Sequence, residues 1–289
     1  MAESPAEPPF TRIGPENPAS PVVLSVPHAG RAYSEALLRA SRLPRSKLEA
    51  LEDRLVDRLV WRAVAAGAPA LVASVPRAEI DLNRDEREID AAMVAPPPPA
   101  RTLMASPRTR GGLGLVPSRI SGAGSIWLQR LPEAELAQRI ETIHRPYHAA
   151  LAEMLEQARR SFGVAILLDC HSMPPRSGGD AGAAAIVFGD RYGTSIRPDL
   201  LHAALAAAER SGFTTALNAP YAGGFITTRH GRPAAGIHAL QIEIDRSLYL
   251  DRELREPGLG FDAASHLIAA VVASLGARAL DTPQAIAAE

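Results

Sequence analysis

Five short apolar runs punctuate the chain: 21–26 (PVVLSV), 70–75 (ALVASV), 164–168 (VAILL), 183–188 (AAAIVF) and 239–244 (ALQIEI). Mostly apolar runs of this length, 164–168 wholly so, have the pattern of strands buried on both faces of a sheet. Between them lie stretches with apolar residues at helical spacing. One runs from about 46 to 66, with Leu48, Leu51, Leu55, Leu59 and Ala63 on one face. Another covers 132–162, opening on Pro-Glu-Ala-Glu and kinked or split at Pro146. A third, alanine-rich, covers 197–210 behind Pro198 and Asp199, and a fourth closes the pattern over 262–279. This alternation predicts an α/β fold, a three-layer sandwich with helices on both faces of a mostly parallel or mixed central sheet.

The remaining stretches predict the organisation around that sheet. Residues 1–20, rich in proline and acid, read as a flexible arm, 21–280 as a single catalytic domain and 281–289 as a loose tail. Residues 91 to about 130, with PPPP at 96–99, RGGLGLVP and SGAGS, read as a long loop folded over the site. The loop is glycine-rich, yet neither GxxxxGK[ST] nor a strand followed by GxGxxG is present, which removes a phosphate-cradling reading. PPRSGGDAG after residue 173 reads as a polar loop, and 218–236 as a Gly/Pro-rich loop carrying Arg229 and His230.

Composition narrows the class. In 289 residues, 46% are hydrophobic, enough for a substantial core. A formal net charge of -1 gives no basic surface for a nucleic-acid backbone and no polybasic membrane patch. Cys170 is the only cysteine, so no internal disulfide forms, and the thiol fits a reducing compartment. The first residues lack a basic start followed by an apolar core, the pattern of a secretion signal or membrane span; a cytoplasmic protein is expected. No stretch speaks to oligomeric state.

Candidate chemistry collects where the apolar runs stop. The run 21–26 leads into Pro27 and His28, the run 164–168 into Asp169, Cys170, His171 and Ser172, and the run 70–75 into Arg77. The carboxyl ends of strands in α/β sheets are where ligand sites tend to lie. Asp53 and Asp57, four apart on the predicted helix, sit beside valines; they either pair with nearby arginines or ligate metal. Glu243 interrupts a buried strand, which is costly unless the carboxylate is paired or kept for chemistry. Two neutral imidazoles and a carboxylate form a common catalytic zinc set with one position left for water, and a further carboxylate can take that water's proton. Arg77, Asn83 and Arg84 make a clamp for an acidic substrate, or else an ion-pair cluster with Asp85, Glu86 and Glu88. His144 and His148 are spaced for chelation, but Arg145 stands where HExxH needs glutamate, and packing is the simpler reading. A nucleophilic role for Cys170 is opposed by its place on a buried strand.

Several blocks are longer than such patterns require: SVPHAG, RAEIDLNR, GLGLVP, HRPYHAAL, LLDCHSMP and YAGGFITTRHGRPAAGIHALQIEIDRSLY. In order and spacing, from about residue 20 to 275, they resemble the N-formylglutamate amidohydrolase family. The resemblance implies a fold like that of zinc carboxypeptidases and aspartoacylases, with Zn2+ or another divalent metal as cofactor. It implies hydrolysis of a small N-acyl, typically N-formyl, acidic amino acid, above all N-formyl-L-glutamate to formate and L-glutamate. By the same resemblance His28 and His171 are metal ligands and Glu243 the general base. Arg77 polarises the scissile carbonyl, and Asn83, Arg84 and Arg229 bind substrate. Related zinc hydrolases place an acidic ligand three residues after the first histidine; here that residue is Arg31, so Asp53, then Asp57, is expected as third ligand. The segment from Asp85 to Pro99 is where specificity would differ. His144, His148, His230 and His238 are left open as further members of the site. The rival readings are a related zinc hydrolase acting on another N-acyl amino acid or small peptide, and a metal- or ligand-binding member of the fold without catalysis.

Overall fold

A computed structural model describes residues 8–176 and 184–281. Residues 1–7 of the expected arm, residues 177–183 of the polar loop and the expected tail from 282 lie outside the described residues. Seven strands form one sheet: β1 (Phe10–Ile13), β2 (Val22–Val26), β3 (Ala70–Ala73), β4 (Ala165–Met173), β5 (Ile186–Gly189), β6 (Thr215–Leu217) and β7 (Ile237–Asp245). Their spatial order is β1-β3-β2-β4-β7-β5-β6. β2, β4 and β7 run parallel, β5 pairs antiparallel with β7, and β6 runs parallel to β5, so the sheet is mixed.

The apolar runs at 21–26, 70–75, 164–168 and 239–244, and the described part of 183–188, all become strands, with differences at their ends. β4 does not stop at Leu168 but continues to Met173, and every one of its residues is buried. Its polar residues therefore sit within the ladder and not beyond it. Residues 10–13, expected in a flexible arm, form the edge strand β1, with Phe10 and Ile13 half-buried. Four residues beside two prolines carry too little local pattern to announce a strand; the sheet edge supplies the pairing.

By density of internal contacts the chain groups into two compact units. The unit of Arg12–Val26, Arg54–Leu71 and Leu151–Glu289 carries β2 and β4 to β7. Here the helix Phe261–Leu280 packs on β2, β4, the helix Pro198–Arg210 and the short helix Trp61–Ala65, burying Leu267, Ile268, Val271, Val272 and Leu275. It is the one described helix long and apolar enough to cross a membrane. Half of its apolar window is buried against the protein, as in a core helix. The helix Phe225–His230 packs on β7 and β4.

The other unit, Met1–Thr11, Pro27–Asp53 and Val72–Ala150, has few regular elements. A small cluster of Leu48, Leu51, Ala78, Ile120 and Ile126 forms its apolar centre, with Trp127 packed against it. The irregular stretch 91–130 is held by specific bonds: the Glu88 carboxylate accepts from the Ser106 hydroxyl and the Asp85 amide, and Leu115 N–H donates to Glu88 O.

Two predicted helices are corrected. The stretch 46–66 is not continuous: Arg45–Leu48 and Glu49–Leu51 are followed by a break, then Val56–Leu59 and Trp61–Ala65. Leu55 takes a left-handed conformation, φ 62° and ψ 12°, which ends any helix running through it. The stretch 132–162 splits into Glu133–Arg139, a π-helical turn at Ile140–His144 and Arg145–Phe162. The wide turn lies just before Pro146, which lacks the N–H that a regular helix needs there.

Candidate metal centre

His28 follows β2 in a turn whose closeness fixes the next residues: a Cβ on Gly30 would lie 2.0 Å from the Val75 carbonyl oxygen. The imidazole is buried. Its Nε2 lies 2.7 Å from Asp81 Oδ1 and its Nδ1 3.3 Å from Asp53 Oδ2. The break in the predicted helix is what brings Asp53 there, because Asp53 N–H donates to the His28 carbonyl at 2.9 Å.

Asp81 has no exposed surface and gathers four partners. Besides His28 it accepts from Arg77 Nε and from the Asn83 backbone N–H, each at 2.8 Å, and Arg84 Nη2 approaches to 3.5 Å. Burial alone would raise its carboxyl, but the guanidiniums of Arg77 and Arg84, then His28, outweigh that and hold it well below the usual carboxylate range. Arg84 donates from Nε to Leu113 O and from Nη1 to Asn83 O, and burial lowers it to about 10. His144 and His148 support this segment: their Nε2 atoms lie 2.9 and 3.0 Å from the carbonyls of Arg84 and Leu82. Neither belongs to the group of candidate ligands found among the described residues.

The sheet supplies the other groups by register. In parallel pairs, residues opposite one another share a face, and side chains alternate along each strand. Ser25 of β2 is opposite Asp169 of β4, and Asp169 is opposite Gln241 of β7; two residues on, His171 is opposite Glu243. One face thus carries Ser25, Asp169 and Gln241 in a row, with His171 and Glu243 in the next, all of them buried. Asp169 Oδ1 accepts from Ser25 Oγ at 2.9 Å, and Asp169 Oδ2 lies 2.8 Å from His171 Nε2. Glu243 Oε1 accepts from Gln241 Nε2 at 2.9 Å.

His28 and His171 therefore have the same arrangement, each with Nε2 against a buried carboxylate. A carboxylate on one ring nitrogen fixes the tautomer and makes the other nitrogen the metal-facing lone pair. Ligand atoms of His28, Asp53 and His171 lie within 4.8 Å of one another. Two imidazoles and a carboxylate, each imidazole backed by an acid, suit a divalent cation with an open position. The residues present fit the group.

Asp57 does not join this set; it is half-buried on the separate helix Val56–Leu59. Arg229 lies on the short helix Phe225–His230. It is exposed, its guanidinium 5.7 Å from the Phe225 ring centroid, and the residue ending its helix, Gly231, abuts Ala239, four positions before Glu243 in β7. Cys170 points to the opposite face of β4 from Asp169 and His171, and burial, then Asp169, pushes its thiol well above the usual range. That removes the nucleophile reading. His230 and His238 are buried and pushed down to about 3 and about 4, in each case first by burial, then by Arg229 and Arg232 for His230 and by Arg197 for His238.

Sequence reasoning missed the parts played by Asp81, Asp169 and Gln241. Asp81 stands among arginines and acids, where a surface cluster is the simpler reading. Asp169 and Gln241 become legible only once strand register shows which face they share with His171 and Glu243.

The profile of the N-formylglutamate amidohydrolase family matches residues 20–250. The N-formylglutamate deformylase of Pseudomonas putida is 30% identical over 80% of this chain and 82% of its own length. That of Pseudomonas aeruginosa is 29% identical over 81% and 83%. The crystal structure of N-formylglutamate amidohydrolase from Ralstonia eutropha JMP134 superposes with a TM-score of 0.84 and 35% identity, covering 93% of this chain and 97% of that one. A gene product of Agrobacterium tumefaciens, 20% identical with a TM-score of 0.59, shares the fold.

Proposed function

Because the chain belongs to the N-formylglutamate amidohydrolase family, we propose that it hydrolyses N-formyl-L-glutamate to formate and L-glutamate in a metal-dependent reaction. The observation that carries this reading is the set of His28, Asp53 and His171, gathered within 4.8 Å, with Glu243 in register beside His171.

His28, Asp53 and His171 would hold the cation. When bound, a zinc ion or similar divalent cation supplies Lewis acidity that polarises a carbonyl and makes water a stronger acid. Glu243 takes the proton of the attacking water and returns it to the leaving amine as the C–N bond breaks. Arg77 donates to the oxygen that gains charge at the formyl carbon. Asn83 and the charge of Arg84 hold a substrate carboxylate. Asp81 and Asp169 keep their imidazoles in one tautomer throughout. Arg229, exposed on its short helix, is a further cation for the substrate carboxylate. We place the protein in the cytoplasm, where its free thiol is stable.

The test is a formate-release assay with N-formylglutamate, joined to metal analysis of the purified protein before and after chelation. Stoichiometric metal, loss of release on chelation and recovery on readdition are expected. Metal without release from formylglutamate, formylaspartate or acetylaspartate would favour a binding protein. Preference for an acetylated acid would reassign the substrate. Glu243→Gln is expected to lower kcat by about 100-fold or more with metal retained.

A further inference from the structure

Gln241 stands on β7 among Leu240, Ile242 and Ile244, residues with no exposed surface, and is itself 3% exposed. Its amide has one hydrogen bond: Nε2 donates to Glu243 Oε1 at 2.9 Å. Its carbonyl oxygen is buried and has no partner among the described residues. The amide orientation follows from chemistry, since the reverse would set the carbonyl oxygen against a carboxylate and leave two N–H donors unmet.

A buried amide acceptor left unmet costs about 1–3 kcal/mol, whereas a leucine or methionine of similar size at this position would cost nothing of the kind. A glutamine serving the fold would satisfy both ends. This one satisfies only Glu243. It also lies in the row directly behind the base, opposite Asp169, so its hydrogen bond can restrict which way the carboxylate turns. A donor on Oε1 holds that oxygen in place and so limits rotation of the carboxylate.

We propose that Gln241 is a positioning residue for the hydrolytic reaction, holding the Glu243 carboxylate in the orientation in which it accepts the proton of water. The inference rests on the reading of Glu243 as general base.

The test compares the metal-loaded wild type with Gln241→Met, Gln241→Leu, Glu243→Gln and the double variant Gln241→Met/Glu243→Gln. Each is read for kcat, KM, bound metal and Tm. In Gln241→Met and Gln241→Leu, kcat is expected to fall about 10- to 100-fold, with KM within about twofold of wild type. Tm is expected to stay level or rise, because an unmet polar atom has gone. In the Glu243→Gln background the Met substitution is expected to cost no further activity, because the group it positions is gone. Wild-type kcat in both single variants would overturn the proposal. So would a lowered Tm with unchanged kcat per folded molecule, which is the mark of a structural residue. Should Glu243→Gln itself keep wild-type kcat, the base assignment fails and not only the part given to Gln241. Two single variants keep the measurement available if one of them folds poorly.

Discussion

Asp81 is where removal of one oxygen charge reaches furthest, because it holds His28 Nε2, Arg77, Arg84 and the Asn83 amide at once. Asp81→Asn keeps the shape but leaves two guanidiniums facing a neutral amide in a buried place. Loss of such a carboxylate behind a histidine ligand typically weakens metal binding about 10–100-fold, and breaking a buried ion pair costs about 3–5 kcal/mol. Competition with a metallochromic chelator and denaturant unfolding check the two effects separately. His230 gives a pH dependence of known sign. Folded, it is depressed to about 3; unfolded, it titrates near 6.5. Between those values the unfolded chain binds a proton that the folded chain refuses. The contribution is therefore present above about pH 6.5 and lost as pH falls toward 3, with a slope of at most about 1.4 kcal/mol per pH unit. His230→Gln is expected to flatten the decline of Tm between pH 6.5 and 4, measured by differential scanning fluorimetry; an unchanged profile would refute the assignment.

At the scale of elements, the break between Leu51 and Val56 sets apart the two acids considered as ligands. Asp53 lies in the break, with its amide on the His28 carbonyl, and Asp57 lies on the next short helix. Asp53→Asn is expected to lower zinc affinity by about 100-fold or more, and Asp57→Asn to leave it within about threefold. Equilibrium dialysis with zinc distinguishes them; equal losses would show that the break does not make the choice. The five apolar runs were legible in the sequence, because burial on both faces forces composition as well as pattern. So were the helices at 198–210 and 261–280, whose capping and spacing are local. The break was not legible: Leu48, Leu51, Leu55 and Leu59 keep helical spacing through it, and the bond that enforces it comes from a residue about 25 positions earlier. His28, His171 and Glu243 could be read because each is polar at the end or in the middle of an apolar run. Asp81 could not, since four charged neighbours along the chain hide its burial.

For the molecule as a whole, the cation is expected to contribute to stability as well as to reaction. A ligand that binds only the folded chain adds about 2.7 kcal/mol at a concentration 100 times its Kd. Chelated protein is therefore expected to unfold several degrees lower than the zinc-loaded form, and readdition of zinc to reverse the change. Coincident melting of the two forms would place the metal on a surface without structural consequence. One feature offers a way to follow such changes. The chain's only sulfhydryl, Cys170, is sealed inside the sheet on the face away from the imidazole of 171. An alkylating reagent such as iodoacetamide is accordingly expected to leave the native protein untouched and to add a single label per molecule once β4 is pulled from its neighbours. Mass spectrometry of the trapped population would then time the opening of the sheet's centre with no engineered reporter, and labelling as fast as that of a free thiol would mean that the strand is not sealed at all.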